Sequence, residues 1–181
     1  MPLKPGDNEY AEYYGPYVAL VAESDILGAL AGQPDDLAQL VSRVRPGRES
    51  YRYAEGKWGI REVIGHLIDA ERVFGFRAFC FSRGEQAPLP GFDENDYVRQ
   101  SHYDARPLNE LMAEFRTVRQ GNIAFLRGLN EKEWAQLGTA STKLVSVRAL
   151  AYIMVGHARH HGNVLRDRYA EAFEPMKKSA K

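Results

Sequence analysis

The sequence predicts an all-α protein, a four-helix bundle, on three observations. Four long segments repeat apolar residues at helical spacing, few runs alternate as strands do, and one long interruption separates the second segment from the third. The first segment runs from Ser24 to about Val44 and places Leu30, Leu37, Leu40, Val41 and Val44 on one side. Pro34 falls inside it, where a proline removes a backbone donor and crowds the preceding turn. The apolar phase nevertheless runs on through positions 26, 30, 37, 41 and 44. One helix, kinked or opened at Pro34, is expected, with two shorter helices as the alternative.

In the second segment Gly59 stands as N-cap with Glu62 three residues on, and Gly84 ends the helix after about Arg83. Its stripe is Val63, Leu67, Ala70, Phe74, Ala78 and Phe81, on a rod of about 36 Å. From Glu85 to Ala105 the pattern breaks around Pro88-Leu89-Pro90-Gly91-Phe92-Asp93, a long loop between helices 2 and 3 of the kind that covers a site. A third helix follows Pro107 and carries Leu108, Leu111, Met112, Phe115, Val118, Phe125 and Leu126. Asn130 and Glu133 cap a short helix through Trp134. Ser146 caps the fourth long helix, Val147 to about Tyr169, with Leu150, Met154, Val164 and Leu165 in phase. The chain reads as one domain over residues 1–181 with its core at about 24–169. Both tails, including the stretch from Phe173 to Lys181, are expected to be flexible.

Composition narrows the function. The 181 residues are 44% hydrophobic and 27% charged, as in ordinary globular proteins. Lys+Arg and Asp+Glu are each 24, so the basic excess expected of a duplex-binding domain is missing, and no nucleic-acid partner is expected. The lone cysteine, Cys80, lies between Phe79 and Phe81 and reads as a buried, inert thiol suited to a reducing compartment. Met1–Asp7 lacks the apolar run of a signal peptide, and no segment has the apolar length of a membrane span. A cytoplasmic protein without a membrane partner is the expectation.

Three of the five histidines occupy positions where apolar residues belong. His66 shares a stripe with Val63, Ala70 and Val73; His157 and His161, four apart, stack on the face that carries Leu150, Met154, Val164 and Leu165. A core imidazole costs free energy unless its ring nitrogens find partners. Rings from two helices can converge on one cation, as bundle-core metal sites do; a hydrogen-bonded network without metal is the other reading. Three imidazoles without cysteinate suit zinc, nickel or another late divalent ion. They leave a coordination position open to water or to a thiol. His160 falls off the stripe as a rim, supporting or swapped residue, and His102 lies in the loop.

Other motifs are negative. His157-Ala158-Arg159-His160-His161 has Ala where H-E-x-x-H metalloproteases carry glutamate, and His160 where the inverted motif needs it. No Glu-x-x-His pair of di-iron bundles occurs, nor a phosphate loop or nucleophile elbow, which argues against proteolysis and oxygen chemistry. Asp69, one turn after His66, is the candidate base; its structural alternative is to orient a histidine or pair with Arg72 or Arg77. Arg159 and Asn163 are placed either to reach a ligand at the site mouth or to take solvated or interface roles, Glu62 to cap, and Trp58 to plug the bundle end.

Trp58-Gly59-Ile60-Arg61-Glu62-Val63-Ile64-Gly65-His66-Leu67-Ile68-Asp69-Ala70-Glu71-Arg72 resembles the second helix of the DinB/YfiT-like superfamily. Ser146-Val147-Arg148-Ala149-Leu150 with Gly156-His157-Ala158-Arg159-His160-His161 resembles its last helix. Leu89-Pro90-Gly91-Phe92-Asp93 and Phe115-Arg116 are similar to one DinB-like subgroup, and the likeness runs from about Ser24 to Tyr169. Gly59 stands where the family commonly has serine, which weakens the cap and leaves the site untouched. The resemblance implies a four-helix bundle, usually a homodimer, with a divalent metal on His66, His157 and His161. It also implies hydrolysis or S-transfer on a small molecule, through water or a low-molecular-weight thiol such as bacillithiol or mycothiol. A non-catalytic, metal-stabilised ligand-binding or stress-associated bundle is the alternative.

Overall fold

Burying the four apolar stripes against one another produces a four-helix bundle in the computed structural model, which describes residues 4–175. A short helix α1 (Gly15–Ala19) precedes the long α2 (Ile26–Val41) and α3 (Ile60–Ser82). The short α4 (Glu94–Gln100), long α5 (Leu108–Arg127), short α6 (Glu131–Trp134) and long α7 (Val147–Arg168) follow. Helices α2 and α3 stand on a diagonal, each packed against α5 and α7.

The caps fall where local chemistry puts them. The Gly59 N–H donates to Glu62 Oε2 at 2.6 Å, Asn130 and Glu133 cap each other's backbone, and Ser146 Oγ accepts from Ala149 N–H. Gly84, at φ +83°, ends α3 in a conformation that penalises a Cβ. Two expectations need correction, and one element, a hairpin, was not foreseen. The stretch read as loop, Glu85–Ala105, contains α4, opened by the Asp93 carboxylate on the Asn95 and Asp96 N–H groups. A hairpin, β1 (Leu137–Ala140) with β2 (Lys143–Ser146), joins α6 to α7. Phe173, placed in a fraying tail, is buried and bridges Val44; Met176–Lys181 lie outside the described residues, as do Met1–Leu3.

Helix α2 runs unbroken through Pro34, and tertiary structure explains how. Proline leaves the Leu30 carbonyl without its intrahelical donor. That oxygen accepts from Arg119 Nη1 of α5 at 3.2 Å. The same Nη1 donates to Gln33 Oε1 at 2.9 Å, and Gln33 Nε2 donates to the Val155 carbonyl of α7 at 2.8 Å. Arg119 Nε donates to Glu71 Oε2 of α3 at 2.7 Å; Nη2 lies 2.5 Å from that oxygen as an ion-pair contact rather than an aligned hydrogen bond. Asn122 closes the network on Glu71 Oε1 at 3.0 Å. One fully buried guanidinium therefore ties all four long helices together.

This polar layer divides the core. Leu30, Phe74, Leu126 and Leu150 belong to one apolar cluster, and Leu37, Leu67, Phe115 and Leu165 to the other. Leaving one member of a buried ion pair unpaired destabilises by about 3–5 kcal/mol, whereas removing both at matched volume is close to neutral. Arg119→Leu is accordingly expected to destabilise by that amount, and Glu71→Leu in the same chain to restore most of it. Urea denaturation of the two single variants and the double variant checks this.

Candidate metal centre

His66 lies on the inward face of α3, and His157 and His161 on that of α7, with His157 close enough to the polar layer to feel the Arg119 charge. Their ring centroids are 4.9 Å (His66–His157), 4.8 Å (His66–His161) and 4.6 Å (His157–His161) apart. One ring nitrogen from each lies within 4.8 Å of the others, and His66 Nε2 stands 3.0 Å from His157 Nε2. Nitrogens held at about 2.0–2.1 Å from a tetrahedral ion stand about 3.3 Å apart, so the cluster fits one divalent cation with small adjustment. His66 Nδ1, the ring's other nitrogen, is buried with no partner among the described residues.

Burial also sets the charge of the rings. Desolvation lowers His66 to about 4. Desolvation and the neighbouring imidazoles hold His157 and His161 well below the usual histidine range, with Arg119 adding a smaller push on His157. All three are neutral at pH 7 and offer lone pairs to an ion without first releasing a proton. Trp58 tilts against His66 at 4.7 Å, and Tyr17 and Phe74 meet His157 edge-on at 5.4 and 5.7 Å, forming an apolar surround. Trp58, expected as a plug in the core, is only half-buried and forms a wall of the site.

Beside the triad opens a cavity of about 360 Å³. His160 is exposed at its edge, 5.1 Å from His161, which is the expected rim position. Asp69 is turned elsewhere: its Oδ1 accepts from the Tyr103 hydroxyl at 2.6 Å, and it belongs neither to the convergent donors nor to the cavity lining. Its suggested partners are engaged apart from it, Arg72 with Glu114 and Arg77 with Pro90 and Ser141. Burial nevertheless raises the Asp69 carboxyl. Arg159 pairs with Glu23, and Asn163 accepts from Arg166, in a separate surface depression. Glu62 caps α3, and Cys80 is half-buried with its thiol pushed up by burial.

Sequence reasoning missed the far wall, which comes from three separate segments, the N-terminal stretch, the Pro88–Asp93 stretch and the hairpin itself. The hairpin gathers them: Tyr10 bridges Val145 of β2 and Leu89 bridges Ala140 of β1. These bridges bring Tyr13, Tyr14 and Tyr17 to one side of the cavity and Phe92 to another. Helix α1 packs so closely on α7 that a Cβ at Gly156 would stand 2.0 Å from the Tyr17 carbonyl. The available signal was Tyr10, Tyr13, Tyr14 and Tyr17 crowded into one short stretch of a chain with ten tyrosines.

The chain matches the family profile of the DinB superfamily over residues 29–165. Among solved structures it is similar to YfiT from Bacillus subtilis, described as a probable metal-dependent hydrolase with an unusual four-helix bundle topology. That similarity is 18% identity and a TM-score of 0.73 over 93% of this chain and 92% of that one. It is also similar to YjoA, a DinB-like protein from Bacillus subtilis, at 17% identity and a TM-score of 0.56, over 86% of this chain and 97% of that one. No curated protein matches the chain.

The lowered histidine pKa values have a signed consequence for the chelator-treated protein. Below the ordinary value of 6.5 the unfolded chain binds protons that the folded triad refuses. Stability is therefore whole above that pH and is lost as pH falls towards about 4, His66 alone accounting for on the order of 3 kcal/mol. Urea midpoints across that window should fall more steeply for the wild type than for His66→Gln.

Proposed function

The chain belongs to the DinB superfamily, and from that premise we propose that it is a metal-dependent enzyme whose divalent ion is held by His66, His157 and His161. One observation carries the reading: three neutral imidazoles from two helices converge within 4.8 Å beside a cavity large enough for a small molecule. When bound, zinc or nickel at such a donor set supplies Lewis acidity and acidifies water or a low-molecular-weight thiol. The reaction class is hydrolysis or S-transfer on a small electrophilic molecule.

The chain's own residues do the rest. The three rings hold the ion through neutral donors, so its charge stays uncompensated by the protein. Tyr17, Trp58 and Phe74 keep bulk water from the ring cluster. His160, exposed at the rim, is the lining imidazole that meets solvent. A homodimer in the cytoplasm belongs to the same reading.

A second reading, a non-catalytic bundle stabilised by its metal, is favoured by one observation. Among the described residues no carboxylate joins the histidine cluster, and Asp69 is held by Tyr103.

Chelator-treated protein is expected to take up zinc or nickel at about one ion per chain, measured by elemental analysis after desalting. His157→Ala should abolish that uptake and His160→Gln should preserve it. Turnover on thiol and ester panels, lost in His157→Ala with folding retained, supports the enzyme. Metal-raised melting temperature without turnover supports the second reading.

A further inference from the structure

At the other end of the cavity stands Arg77, only 3% exposed. It shares one face of α3 with His66, Ala70 and Phe74, which also line the cavity. Eleven residues turn the helix through three turns and about 20°, and separate the Cα atoms of His66 and Arg77 by about 16 Å of rise. The cavity is thus a channel along α3 with imidazoles at one end and a guanidinium at the other.

Arg77 Nη2 donates to the Pro90 carbonyl at 3.0 Å and to Ser141 Oγ at 2.9 Å. Ser141 and Thr142, the hairpin turn, hold φ of +51° and +64°. Neither residue favours that region, and the Arg77 bond secures the turn. The guanidinium also lies beside the Tyr14 side chain, and Arg77 lines the cavity. Both acceptors are neutral, and among the described residues no carboxylate pairs with the guanidinium. Arg119 shows the contrast: equally buried, it has Glu71. A buried charge held only by neutral groups is expensive unless an anion arrives to match it. The walls between the two ends, Tyr14, Tyr17, Phe74 and Phe92, are aromatic.

We propose that Arg77 is the specificity-determining residue of this cavity, taking the carboxylate of a small acid whose apolar body lies along the aromatic walls. The inference rests on the proposed function only in placing the acid's far end towards the histidine cluster. A single guanidinium matches a monoanion, and Nη1, which neither Pro90 nor Ser141 engages, can give a carboxylate a charge-assisted hydrogen bond. Lys143 also lines the cavity, its Nζ 4.8 Å from the Tyr13 ring centroid, and Glu94 lies on the exposed rim.

The test uses chelator-treated wild-type protein, so that no ion competes for the acid, with 4-phenylbutanoate and its neutral amide compared by calorimetry. The acid is expected to bind at least roughly tenfold more tightly than the amide. Arg77→Gln should bind the two alike, and Arg77→Lys should keep part of the preference. Equal binding in the wild type, no binding of the acid at millimolar concentration, or a preference that survives Arg77→Gln overturns the proposal. Should the variants fail to fold, crystals of the wild type soaked with the acid decide: carboxylate density on Arg77 supports it, and density elsewhere refutes it. Failure of metal uptake would defeat the metal proposal while leaving this one standing, and the reverse also holds.

Discussion

Everything in this bundle is organised around a polar layer that cannot reach water. Arg119 is fully buried, and its charge is matched by Glu71 from a second helix, with the Gln33 amide and the Leu30 carbonyl from a third. Because these groups must satisfy one another, the helices have little freedom to slide: a shift of one turn would strand a charge in apolar surroundings. Dispersion and apolar burial hold the two flanking clusters, but they are tolerant of register. The network supplies the register that they lack.

Register is what a three-residue cluster needs. His66 comes from α3, and His157 and His161 from α7. A relative slide of one helical turn, about 5.4 Å, would exceed the present spacing of the donor nitrogens. The ties from Arg119 to Glu71 of α3, and through Gln33 to Val155 of α7, set the register in which the histidines meet. The apolar surround then keeps the rings neutral, so burial positions the donors and also sets their protonation.

The cavity wall is built by a different principle. Its segments are short and irregular, and none would be stable alone. The β1–β2 hairpin accepts the N-terminal segment along one edge and the Pro88–Asp93 stretch along the other. Its turn is held from the bundle side by Arg77. Scaffold and wall meet at α3, which carries both His66 and Arg77 on one face.

Periodicity and caps were enough for the four long helices, since burying an amphipathic stripe and satisfying end groups are local demands that leave local traces. Gly59, Asn130 and Ser146 all cap where their chemistry implies. The three histidines were legible for the same reason: a polar ring in an apolar stripe stands out along a single helix. Asp69 looked available because it lies one turn from His66. Only the packing of α3 against the segment carrying Tyr103 directed its carboxylate away from the triad. Pro34 likewise read as a kink or local opening because its rescue, the Arg119 guanidinium, comes from a helix 85 positions along the chain. The hairpin, the tyrosine wall and the isolation of Arg77 from any carboxylate were decided by tertiary structure alone. They depend on pairings between distant segments, and short strands and turns carry too little periodicity to announce such partners in advance.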